Sequence, residues 1–270
     1  MTGSWSIDPD TRRAMRLNRV RQAFASGDWT ECMLEAEELL DEVPDSIEAL
    51  ALLGQAALQT GDAQIGALAL EQAIGLADAP DVDLLVGLAV ARFEMCQLVA
   101  CAEVAREAVR IAPDRAEAHW YLGLSLERLE GHQAEAMAEL AAARQLEPDT
   151  YPWPLAIAAE EWEGLIHAAL ADLHPNVRAF WNGLPVMVLE EPDLDELRAM
   201  DPPVSPAVSG LYLGSVPEDG DVADARPEGM RLFQRNLAIC RDRDEVVDQI
   251  ALALEAEALG WAGAASLDEL

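Results

Sequence analysis

Residues 47–80 read IEALALLGQAALQTGDAQIGALALEQAIGLADAP. Apolar residues recur in both halves at the three-to-four spacing of a helix with one buried face. Between the halves stands Gly61-Asp62. Glycine ends a helix in a left-handed turn, and aspartate caps the next one. Pro80 then stops the second run, because proline has no N–H to continue the ladder. The stretch is a helical hairpin. Leu53-Gly54 places a residue without a side chain on the first helix, where a neighbouring helix can approach closely.

Working outward, the same hairpin recurs. Proline followed by aspartate stands at Pro44, Pro80, Pro113 and Pro148. Gly27-Asp28 and Gly131-His132 repeat the turn, with Met95-Cys96 at the equivalent place in the third unit. Gly27, Gly61 and Met95 are 34 residues apart in turn. Leu122-Gly123 repeats the Leu-Gly pair. Small residues recur early in each second helix (Cys32, Gly66, Cys101, Ala136), and later at Ala73, Ala108 and Ala143. Hairpins with a period near 34 residues and this wording resemble tetratricopeptide repeats. The expected organisation is a flexible N-terminus over 1–12, four tetratricopeptide-like hairpins over 13–150, and a separate domain over 151–270.

Stacked hairpins line a concave groove with their first helices. The repeat register points Val86, Val90, Phe93, Trp120 and Leu124 toward it, rimmed by Glu48, Asp83, Glu94, Glu117 and Glu127. An apolar floor with an acidic rim suits a protein or peptide partner with basic flanks. The chain's own C-terminal domain in cis is one candidate occupant.

Net charge is −32, and all 18 basic residues are arginine. Such a surface repels phosphate backbones and anionic bilayers, so neither nucleic acid nor membrane is an expected partner. The absence of lysine excludes Schiff-base chemistry and a Walker-type phosphate loop. Without an apolar signal-like run or a span of membrane length, a cytoplasmic location is expected. Cys32, Cys96, Cys101 and Cys240 lack zinc-knuckle spacing and read as buried thiols.

Beyond Pro148 the pattern changes. Tyr151-Pro152-Trp153-Pro154 breaks the stack, and 155–173 reads as one amphipathic helix burying Trp162, Ile166 and Leu170. Strand-like runs follow at 185–189, 210–214 and 230–233, with a loop at 217–229 and a last helix over 244–259. This order indicates a small α+β domain.

Leu184-Pro185-Val186-Met187-Val188-Leu189-Glu190-Glu191-Pro192, then Gly210-Leu211-Tyr212-Leu213-Gly214, then Met230-Arg231-Leu232-Phe233-Gln234-Arg235 resemble, in order and spacing, the minimal zincin-like metallopeptidases of bacteria. The resemblance implies a fold that is mainly α overall: a tetratricopeptide α-solenoid followed by a small α+β zincin-like domain. It also implies that the Leu211–Leu213 segment is a substrate-holding strand edge, and that the last helix should carry His-Glu-x-x-His. Here it does not. In the ungapped register Glu257 takes the catalytic glutamate's place and Gly263 the trailing glycine's. Ala256, Gly260 and Ser266 stand where ligands belong; a register shifted by three leaves Ala253 and Glu257 there. Catalytic zinc needs about three protein ligands, two of them imidazoles one helical turn apart.

The expected function is therefore non-catalytic: a protein-interaction adaptor without metal or cofactor, binding a polypeptide through the repeat groove or the strand edge at Leu211, Tyr212 and Leu213. Glu257 reads as a leftover or surface acid. The alternatives are a metallopeptidase with unusual ligands, such as Asp268, Glu257 and a distant histidine, and a structural oligomerisation module. His167 and His174, seven residues apart, read as exposed or capping residues. His119 and His132 show no partner in the sequence.

Overall fold

The computed structural model describes residues 8–214 and 228–262. The chain divides into two compact units, residues 1–147 with 201–203, and residues 148–200 with 204–270. The expected loop at 217–229 lies outside the described residues as far as residue 227, as do residues 1–7, Gly263, Ser266 and Asp268.

The first unit is a run of antiparallel helix pairs: α1 (Pro9–Ser26) with α2 (Trp29–Glu42), α3 (Ile47–Gln59) with α4 (Ala63–Leu76), α5 (Val82–Glu94) with α6 (Leu98–Ile111), and α7 (Ala116–Glu127) with α8 (Gln133–Leu146). The first helix starts before residue 13 because Asp8 caps it, accepting the Thr11 amide, and Pro9 suits its first turn. Asp28 and Asp62 cap α2 and α4 through the amides of Glu31 and Ile65.

The third turn differs in register from the sequence reading. The left-handed residue is Cys96 (φ 59°), not Met95. The Cys96 amide donates to the Phe93 carbonyl and the Gln97 amide to Arg92, as Gly27 and Asp28 do to Phe24 and Ala23. Gln97 therefore holds the capping position, but its side chain makes no cap. Instead its amide oxygen accepts from the Arg92 guanidinium.

Stacking depends on the small positions. Cys32, Cys101, Ala136, Ala73, Ala108 and Ala143 are all buried. The Cys32 and Cys101 thiols donate to the carbonyls of Leu52 and Tyr121, a bond repeated between equivalent hairpins. Burial pushes the Cys101 thiol up to about 12, so it is an unreactive packing residue. A Cβ on Gly123 would sit 2.6 Å from Leu140 Cγ and 3.0 Å from its backbone nitrogen. A Cβ on Gly54 would likewise meet Leu70 Cγ at 2.6 Å. These glycines set how closely the two helices of a hairpin pack.

The second unit builds a three-stranded sheet, order β1-β3-β2, from β1 (Val186–Leu189), β2 (Gly210–Leu213) and β3 (Gly229–Phe233). β1 runs parallel to β3, and β2 antiparallel to it. The helices are α9 (Trp162–Asp172), α10 (Pro175–Phe180), α11 (Leu194–Ala199), α12 (Gln234–Leu237) and α13 (Arg243–Ala262). The helix expected over 155–173 starts only at Trp162, after a short 3-10 turn at Ala159–Glu161. Leu155 is held outside it by donating its amide to the Ala238 carbonyl, and Glu161 reaches back to accept the Ala158 amide. Val246, Ile250, Leu254 and Ala258, four residues apart, form the buried stripe of α13. The buried Trp181 indole fastens that helix by donating to the Leu254 carbonyl at 2.9 Å.

Gly123→Ala is expected to destabilise the array by about 1–3 kcal/mol through overpacking against Leu140. Chemical denaturation checks this; an unchanged midpoint would show that α8 moves aside at no cost.

Candidate functional site

The expected groove residues of the array fall into two sets. Val86, Phe93 and Leu124 are buried, Phe93 to 1% exposure. Phe93 packs edge-to-face on Tyr121 at 5.6 Å and lies under the Arg128 guanidinium, also 5.6 Å from its centroid. Val90 and Trp120 keep partial exposure, with Arg144 over the Trp120 ring at 5.4 Å. Of the five expected floor residues, Val90 and Trp120 thus keep some exposure.

The expected acidic rim is largely paired. Glu48 makes a two-toothed contact with Arg21, and Asp83 and Glu117 share Arg115. Glu127 lies beside Arg128. His119, without a visible partner in the sequence, bridges the Glu139 carboxylate (2.5 Å) and the Pro113 carbonyl (3.0 Å), tying α7 to α8 and to the preceding turn. His174 caps α10 by accepting the Asn176 amide.

In the second unit, Glu257 is no free surface acid. Its Oε2 accepts the Tyr212 amide of β2 at 3.2 Å. In the β2–β3 register Leu211 faces Arg231, so the Tyr212 amide points away from β3, along the sheet's edge. The Tyr212 carbonyl accepts from Arg231 Nη2 at 3.4 Å. Arg231 in turn grips both oxygens of Glu196 at 2.7 Å, which holds the Glu196 carboxyl below the ordinary glutamate range. Leu211 is buried, while Tyr212 and Leu213 are half-buried. The edge that the sequence marks for strand addition is therefore already capped at its central peptide by Glu257 and Arg231.

The rest of α13 offers no metal set. Ala253 and Ala256 have no donor atom, and Gly260 faces open space. Among the described residues no three His, Cys, Asp or Glu side chains converge as a metal site. At the described positions where the zincin pattern would put ligands, Ala253, Ala256 and Gly260 supply no donor and Glu257 is engaged, so a catalytic zinc of that type does not fit them.

A feature the sequence reading missed lies by the opposite edge strand, β1. A cleft of about 560 Å³ opens between α9 and β1. Trp162, Ile166 and Leu170 form its helical wall; Leu184, Val186 and Val188 form its strand wall. Ile166 and Leu170 are only half-buried as a result. The four-residue spacing of Trp162, Ile166 and Leu170 marks a buried face in the sequence, and nothing in it shows that β1 leaves that face partly open.

The geometry defines a tetratricopeptide-type helical array followed in sequence by a zincin-like α+β domain. Residues 181–261 match the family model of zincin-like metallopeptidases. Solved structures similar to the chain include MamA (19% identity, 48% of this chain and 74% of that one, TM-score 0.44). Another is YrrB, described as a TPR protein with an unusual peptide-binding site (17% identity, 49% and 68%, TM-score 0.45). A third is MamA AMB-1 (19% identity, 52% and 75%, TM-score 0.47). The comparison with curated proteins finds no match. Among the described residues no helix is long and apolar enough to cross a membrane.

Burial pushes the Glu257 carboxyl up, against the opposing pulls of the Tyr212 amide and Arg231. The folded chain then binds this proton more tightly than the unfolded chain. The resulting stability is full below the ordinary glutamate range and is lost as pH rises through the raised value. Glu257→Gln keeps an oxygen for the Tyr212 amide and should hold stability near pH 7 within about 0.5 kcal/mol while removing that pH slope. Glu257→Ala leaves the amide unpaired and should cost about 1–2 kcal/mol. Denaturation curves at about pH 5 and about pH 7 check both; equal, negligible effects would mean the bond carries no weight.

Proposed function

We propose that this protein is a non-catalytic polypeptide-binding adaptor, in which the helical array is the binding surface and the zincin-like domain hydrolyses nothing. The observation that carries the reading is the state of α13: Ala256 and Gly260 carry no donors, and Glu257 is bonded to Tyr212. An unactivated water with a lone carboxylate lacks the means for amide hydrolysis. Zinc lowers the pKa of its bound water from about 15.7 to about 7, and general-base catalysis alone supplies roughly 10²–10⁴-fold.

What remains is binding. Stacked helical hairpins expose a continuous face in place of a reactive centre. On that face Val90 and Trp120 retain exposure, and half-buried tryptophan is a common anchor for a bound chain. The net charge of −32 favours a partner with basic residues and disfavours nucleic acid. A cytoplasmic setting accords with four free, buried cysteines.

Peptides selected from a displayed random library against the full chain test the array's part. Trp120→Ala combined with Val90→Asp should weaken the selected peptides by about tenfold or more. Unaltered affinity in a folded double variant would remove the array as the binding surface.

A further inference from the structure

The cleft between α9 and β1 runs alongside a strand edge that is open. The Met230 amide donates to the Pro185 carbonyl at 2.8 Å, and Val186 pairs in register with Met230. In a parallel ladder this turns the peptide groups of Val186 and Val188 away from β3. No described strand lies on that side, and among the described residues no hydrogen bond reaches those groups. The two edges of the sheet are thus unlike. β2 is capped by Glu257 and Arg231; among the described residues, β1 keeps an uncapped row of donors and acceptors.

Two further observations point to a ligand. The Trp162 side chain lines the cleft and is 4% exposed, yet its indole Nε1 has no hydrogen-bond partner among the described residues. A buried donor left unmade is unfavourable, and an incoming carbonyl would satisfy it. The one charged carboxylate in the lining is Glu163, which forms no ion pair among the described residues. A cation is the complement it lacks.

We propose that the β1 edge and its adjoining cleft form a second polypeptide site, which takes an extended segment by strand addition. The segment's backbone pairs with the outward peptide groups of Val186 and Val188. One of its apolar side chains enters the cleft between Ile166 and Val188, and a basic residue lies against Glu163. Strand addition draws affinity from main-chain hydrogen bonds and specificity from alternate side chains, so the occupant is an extended chain of apolar residues with basic flanks. This site is independent of the array surface proposed above, and each stands or falls by its own variants.

The test uses the full chain and a fluorescein-labelled peptide, Arg-Val-Thr-Val-Thr-Leu-Arg, followed by fluorescence polarisation and by nitrogen-15 spectra. Binding should shift the Trp162 indole signal and the Val186 and Val188 amide signals. Ile166→Arg fills the cleft. Val188→Pro removes one outward N–H without removing a ladder bond, a substitution that edge strands tolerate. Each should weaken the peptide by about tenfold while thermal unfolding stays cooperative, and Trp120→Ala with Val90→Asp should not weaken it. Absence of binding, or an affinity in both folded β1-side variants equal to that of the unaltered chain, would overturn the proposal. So would shifts confined to the array, or a dimer dispersed by Val188→Pro, which would assign the edge to a second copy of this chain.

Discussion

A backbone amide on the edge of a sheet needs an acceptor, and in this protein the amide of Tyr212 finds one in Glu257. That bond links the last helix to β2 and engages Glu257, the acid that the sequence resemblance puts at the catalytic glutamate's place. Arg231 completes the arrangement by meeting the Tyr212 carbonyl while Glu196 holds its guanidinium. The edge is closed by the chain's own side chains. Sheet edges left open invite pairing with other chains, so capping one and leaving the other free separates a protected face from an accessible one.

The array rests on a different constraint, that of close approach. Gly54 and Gly123 admit Leu70 and Leu140 at distances no Cβ would permit, and buried cysteines and alanines do the same between neighbouring helices. Aliphatic packing of this kind leaves little polar surface inside. Arg144 is buried, but Arg21, Arg92 and Arg106 each reach a carboxylate of another helix. Exposed pairs of this kind are individually weak, on the order of 0–1 kcal/mol. They moderate the self-repulsion of an acidic chain more than they fasten it.

The hairpins were legible in the sequence because the signals are local: a glycine turn, a capping aspartate and a stopping proline fall within each of the first two hairpins, and the proline recurs in the other two. The third turn was misplaced by one residue because Cys96 does a glycine's work at φ 59°, which composition gives no reason to expect. The three strands were legible as apolar runs between turn residues. Their order was not, since pairing β1 beside β3 depends on contacts distant in sequence. That Ala256 and Gly260 carry no donor side chain is read directly, as residue identity is all that question needs. The use of Glu257 is not, because its partner lies 45 residues away and is a backbone group with no side-chain signature. The cleft beside α9 was invisible for a similar reason: Trp162, Ile166 and Leu170 have the spacing of a core face whether or not a strand closes over them completely.

The central proposal is chemical: we read the C-terminal domain as one that resembles zincin-like metallopeptidases over residues 181–261 but lacks the means to activate water. The metal content of the native, chelator-free protein tests it most directly, measured by elemental analysis alongside peptide-bond cleavage of an unfolded substrate. The account predicts zinc far below one equivalent and no cleavage sensitive to chelation. One tightly held zinc per chain, removed together with a peptidase activity and restored with it, would contradict the account.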